Sequence, residues 1–71
     1  MSITREFCRA HFRLTYRHGN LEIYEQAQGK NFKVWYVFYG DSLLFDGHAP
    51  DDAWYVQQFM KEGENELESD L

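Results

Sequence analysis

The sequence predicts an α+β fold, in which a four-stranded antiparallel β-meander carries a C-terminal helix packed on one face. Three observations support this prediction: a period of two residues over much of residues 12–39, glycine-centred turns between the alternating runs, and helical spacing after Phe45.

The four predicted strands come from alternating runs over residues 12–17, 21–24 and 32–39, followed by a shorter apolar run that ends at Phe45. A period of two indicates strands with two distinct faces. Two-residue turns at 18–19, 29–30 and 40–41 place one apolar set on a common face. That set includes Leu14, Tyr16, Leu21, Ile23, Tyr36, Phe38, Leu43 and Phe45.

The predicted C-terminal helix covers residues 50–62. Pro50 suits a first helical position, and the two aspartates after it suit the positive end of the helix dipole. Gly63 is a typical C-terminal stop. One helical face is apolar and consists of Tyr55, Val56, Phe59 and Met60.

Residues 1–11 are open to two interpretations. Ile3, Phe7 and Ala10 fit a helical stripe, whereas Cys8 and Ala10 also fit the alternation of an extended first strand. A short helix over residues 4–10 that leads into a strand at about His11 satisfies both patterns.

The length of 71 residues predicts one domain, which we place at residues 1–63, followed by a flexible acidic tail at residues 64–71. The net charge of −5 is unevenly distributed: residues 1–35 carry +3 and residues 36–71 carry −8. The single cysteine, Cys8, excludes an intrachain disulfide, and no apolar run approaches the ~20 residues of a membrane span. These features predict a small, acidic, cytoplasmic protein.

No group of residues predicts catalysis, a cofactor or a metal site. Cys8 and His11 lack a third residue to orient them as nucleophile and base, so a buried, inert cysteine is the simpler interpretation. Asp46 and His48 supply only two potential metal ligands. We therefore expect a protein that is not an enzyme.

Four arginines recur every fourth residue, at positions 5, 9, 13 and 17. This spacing has two interpretations. The arginines form a basic platform that binds phosphates or an acidic partner protein, or they form an ordinary solvated face that pairs with nearby glutamates.

The candidate binding surface is the sheet face opposite the predicted helix, where aromatic and basic side chains alternate with the core set. Its residues are Arg13, Arg17, Tyr24, Lys33, Trp35 and Tyr39. This face can be covered in three ways: by the N-terminal segment, by a second copy of the chain in a homodimer, or by a partner protein.

These features predict a protein-binding module, a regulator or inhibitor that acts by occupying a surface. A binder of single-stranded nucleic acid is the alternative, because aromatic side chains flanked by cations can stack bases; the net charge of −5 disfavours it.

Overall fold

The computed structural model describes the backbone of residues 3–69 and the side chains of residues 3–63. Its elements are α1 (Arg5–His11), β1 (Arg13–His18), β2 (Leu21–Ala27), β3 (Lys33–Tyr39), β4 (Ser42–Ala49) and α2 (Ala53–Ser69). The strands form one antiparallel sheet in the order β1-β2-β3-β4. The predicted α+β meander is confirmed.

The N-terminal helix α1 settles the choice that the sequence left open. The Thr4 side chain accepts a hydrogen bond from the Phe7 backbone N–H at 3.1 Å, which is the usual N-cap interaction. The helix ends where the Phe12 N–H donates to the Cys8 carbonyl and the backbone becomes extended. Residues 5–11 are therefore helical, and the strand starts at Arg13.

The predicted bounds of α2 were wrong at both ends. Residues 50–52 form a turn after a cis Ala49–Pro50 bond, in which the His48 N–H donates to Asp52 Oδ2 at 2.8 Å. The helix continues through Gly63, where an added Cβ would lie 2.9 Å from Leu21 Cδ2. Gly63 thus permits close packing of α2 on the sheet instead of ending the helix.

The predicted tail begins inside α2, because that helix extends to Ser69. The predicted flexibility of residues 64–71 stays a prediction, and residues 70–71 lie outside the described residues. Within the described part of the chain, no helix is long and apolar enough to cross a membrane.

The predicted pairing of β2 with β3 was wrong by one residue. The predicted two-residue turn is a five-residue loop, residues 28–32, closed by a bond from the Gln28 N–H to the Phe32 carbonyl. Ile23 consequently pairs with Val37 and not with Tyr36. Because neighbouring residues of a strand point to opposite faces, this shift exchanges the two faces of β3.

Two β-bulges also alter the predicted register. In β1 the register shifts between Leu14 and Tyr16, so Leu14 pairs with Tyr24 and the two lie on the face opposite Tyr16. In β4 the extra residue is Leu44: Phe38 pairs with Leu43 as predicted, but Phe45 pairs with Val37. A bulge inserts one residue and moves the following side chains to the other face.

The sheet therefore has a core on each face. Under α2, the buried Leu21, Ile23, Val37 and Val56 pack with the partly buried Tyr16, Trp35, Phe45, Phe59 and Met60. On the other face, the buried Cys8, Tyr24 and Phe38 pack with Ile3, Phe12 and Tyr36. The sheet is thus a middle layer between the two helices, and the short N-terminal helix covers part of the face that the sequence left open.

Candidate functional site

The structure divides the six predicted binding residues between the two faces of the sheet. Tyr39 pairs with Leu21, which packs under α2. Tyr24 is the next residue after Ile23 of the same core, so its side chain points to the opposite face of the sheet. The α2 face carries Arg13, Lys33, Trp35 and Tyr39, and the α1 face carries Arg17 and Tyr24. The predicted single surface of aromatic and basic residues was therefore wrong, because the shift of β3 exchanged its faces and the bulge in β1 put Arg13 and Arg17 on opposite faces.

Two of the three predicted aromatic contacts are used in packing. The Tyr24 side chain is 1% exposed and packs edge-on against Phe38, with ring centroids 6.1 Å apart. Trp35 is partly buried against the core under α2. Of the three, Tyr39 alone is more than half exposed.

The cationic residues are similarly dispersed. Arg5 Nη2 lies 3.1 Å from Asp41 Oδ1, and Lys33 Nζ lies 2.9 Å from Glu25 Oε1. Arg13 borders a shallow groove of about 490 Å³, lined also by His11, Phe12, Glu25, Gln26 and Ala27. The regular spacing of the four arginines does not produce one basic platform.

Arg9 and Arg17 share a single buried carboxylate on the α1 face. The Glu22 side chain is 5% exposed, and its Oε2 lies 3.4 Å from Arg9 Nη2 and 3.9 Å from Arg17 Nε. The Tyr24 hydroxyl donates to Oε1 of the same carboxylate at 2.9 Å. Burial raises the pKa of Tyr24, so the phenol stays protonated and remains a donor at neutral pH.

Cys8 has the properties of a packing residue. It has no exposed surface, and burial raises the pKa of its thiol to about 11. Because the thiolate is the nucleophilic form, this thiol is unreactive at neutral pH. His11 is exposed, and its ring lies 4.5 Å from that of Phe7. Among the described residues, no three histidine, cysteine or acidic side chains are grouped as metal ligands.

An exposed aromatic cluster lies where β4 and α2 meet. Trp54 is 61% exposed and packs edge-on against Tyr55, with centroids 5.2 Å apart; Tyr55 is 52% exposed and lies 5.8 Å from Phe45. Leu44, the bulge residue before Phe45, is itself 50% exposed. We call Phe45, Trp54 and Tyr55 the aromatic corner.

Acidic residues occupy the turn that leads into α2, directly before the aromatic corner. From Lys33 to Lys61 the intervening sequence contains four aspartates and neither lysine nor arginine. Asp51 lies in the turn before α2 and is exposed, whereas exposed Asp46 pairs with Tyr36 and lies on the α1 face of the sheet. Neither forms an ion pair with any of the described residues. The corner is thus an apolar surface with an acidic turn, Asp51 and Asp52, at one side.

The outer edge of β4 is partly closed to another strand. Asp52 uses its side chain and backbone N–H to bond the N–H and carbonyl of His48, each at 2.8 Å. The bulge at Leu44 interrupts the middle of the strand. Capped backbone groups and bulges protect edge strands from pairing, so side chains, not the β4 backbone, are the accessible feature here.

Sequence reasoning missed the aromatic corner. Tyr55 was assigned to the buried face of the helix, but the structure places it at the β4 side of α2, half exposed against Phe45. Trp54 lies off the apolar helical stripe, and a tryptophan at an exposed helical position was the available signal.

No protein-family model, curated protein or solved structure matches this chain.

Proposed function

We propose that this chain is a non-enzymatic protein-binding module that works in the cytoplasm by occupying the surface of a partner through the aromatic corner. The observation that carries the proposal is the exposure of Trp54 and Tyr55 beside Phe45. Large aromatic side chains grouped at a surface are uncommon unless they are used.

The composition of the corner suits a binding hot spot. Tryptophan and tyrosine are enriched among residues whose truncation costs about 2 kcal/mol or more of binding free energy. Trp54 and Tyr55 already contact one another, and Tyr55 lies against Phe45. This packing restricts the rings before binding, which lowers the entropy cost of forming a complex.

The acidic turn before α2 favours a different protein with a positively charged surface over a second copy of this chain. A two-fold homodimer brings the same patch against itself, which would place the exposed Asp51 near its own equivalent. Like charges across an interface oppose association. A partner with lysine or arginine around an apolar pocket has the complementary charge.

The nucleic-acid alternative has weaker support. It relied on Tyr24 and Trp35 as stacking platforms, and these side chains are buried and partly buried, respectively. The exposed aromatics lie beside aspartates, which repel phosphates.

Affinity capture with matched variants tests the proposal. Immobilised wild-type chain is incubated with lysate of the source organism, with and without nuclease treatment, and retained proteins are quantified by mass spectrometry. We expect a basic protein that is retained by wild type and reduced at least about tenfold by Trp54→Ala and by Tyr55→Ala, since about 1.4 kcal/mol corresponds to tenfold in affinity.

The control variant is Phe7→Ala, which truncates an aromatic ring of comparable exposure on α1, on the other face of the sheet. It should retain the partner as wild type does. Equal retention by all variants, or loss caused only by Phe7→Ala, would contradict the assigned surface. Loss of every partner after nuclease treatment would favour the nucleic-acid alternative.

A further inference from the structure

A second charged site lies on the α1 face, away from the aromatic corner. Arg9, on α1, and Arg17, on β1, both approach Oε2 of Glu22, at 3.4 and 3.9 Å. Their pairing with one atom brings two guanidinium groups from different elements close together. Their side chains are 59% and 67% exposed, whereas that of Glu22 is 5% exposed.

This arrangement has more positive charge than the buried carboxylate requires. The Tyr24 hydroxyl already satisfies Oε1 of Glu22, and a single arginine would balance the charge. Two arginines against one glutamate leave a local charge of +1. Each guanidinium has five N–H donors, and one hydrogen bond, from Arg9 Nη2, joins the pair to Glu22. Most of the donors therefore remain available to solvent.

We infer that Arg9 and Arg17 form a binding site for a phosphate group. Phosphate oxygens suit the planar, forked donors of arginine, and two arginines can bind one phosphate from different sides. The buried Glu22 accepts a hydrogen bond from Arg9 Nη2 and lies within ion-pair distance of Arg17 Nε, so both guanidinium groups are drawn to one place before the anion arrives. Because the arginine side chains are 59% and 67% exposed and that of Glu22 is 5% exposed, an anion from solvent meets the guanidinium groups before the carboxylate.

A purely structural role makes a different prediction. If the arginines serve only to neutralise Glu22 and to attach α1 to the sheet, phosphate should act on them as any salt does. Chloride at equal ionic strength would then produce the same response. A phosphate site is distinguished from a structural role by saturable binding of phosphate, and not of chloride, to the two guanidinium groups.

The test is an NMR titration of the full chain, labelled with ¹⁵N in its arginines, with inorganic phosphate against sodium chloride at matched ionic strength. We expect saturable shifts of the Nε–Hε signals of Arg9 and Arg17 with phosphate only. Arg17→Gln should weaken phosphate binding at least about tenfold, as expected for loss of a charge-assisted contact. The control Arg13→Gln, which alters an exposed arginine on the other face, should bind phosphate as wild type does.

Phosphoserine provides the second arm of the titration. Tighter binding than inorganic phosphate indicates a phosphate carried on a protein side chain, and equal binding indicates the free anion; both support the site. Non-saturable shifts, identical shifts with chloride, or equal weakening by Arg13→Gln would overturn it. A thermal melt of each variant verifies folding, and Arg9→Gln provides an independent variant if Arg17→Gln does not fold. The proposed protein-binding role of the aromatic corner does not depend on the result.

Discussion

Trp35 and Trp54 are the two tryptophans of the chain, and their surroundings differ. Trp35 is partly buried beside Leu21, Ile23 and Val37 in the core under α2. Trp54 is mostly exposed and touches Tyr55. The same type of side chain therefore serves folding in one position, and we propose that it serves binding in the other.

The first prediction at this scale concerns stability. Trp35→Ala should lower the free energy of unfolding by about 3 kcal/mol, the lower end of the range for burying a large aromatic, because the indole is partly exposed. Trp54→Ala should change it by less than about 0.5 kcal/mol. Urea unfolding followed by circular dichroism measures both. Equal losses of stability would mean that the environments of the two indoles have been misassigned.

At the scale of elements, the sequence predicted which segments form strands and helices better than it predicted how the strands pair. Turn glycines and alternation were sufficient to order the four strands. They did not define the register of β3, because Val34, Trp35, Tyr36, Val37 and Phe38 are large and apolar on both faces. A one-residue slip then leaves an apolar face towards either helix, so burial alone does not select between registers.

The bulges escaped prediction for a related reason. The extra residue in β4 is Leu44, between Leu43 and Phe45, so three apolar residues follow one another and no polar residue indicates which of them is extra. The candidate site depended on these registers. Its predicted aromatic and basic members therefore separated, although each lies within the strand to which the sequence assigned it.

The junction between β4 and α2 provides a test at the element scale. A Cβ added at Gly47 would lie 2.7 Å from Phe45 Cε2 and 2.8 Å from Asp52 Cβ. Gly47→Ala must therefore displace the turn in which Asp52 bonds to His48. We expect a loss of about 1–3 kcal/mol in unfolding free energy, as for other overpacked sites.

The matched control is Gln57→Ala, at an exposed position of α2. It should leave the unfolding midpoint nearly unchanged, since alanine has a high helix propensity. If Gly47→Ala is as stable as this control, the close contact between the turn and β4 is incorrect.

For the whole molecule, the two helices give a three-layer arrangement in which a single sheet supports two small cores. The charge is also divided. Arg9 and Arg17 lie towards β1, and the aspartates from Asp41 to Asp52 lie along β4 and its flanking turns. Each proposed binding site lies in one of these regions, so a cationic protein surface and a phosphate group can be recognised independently.

The two tryptophan indoles allow a direct measurement of the proposed binding surface. In a cross-saturation NMR experiment, the chain is deuterated and bound to the basic partner recovered by capture, and the partner is irradiated. We predict that the Trp54 indole N–H loses intensity and that the Trp35 indole N–H does not, since Trp54 lies in the aromatic corner. Transfer to α1 or to Trp35 without transfer to Trp54 would contradict the proposal that the aromatic corner binds the partner.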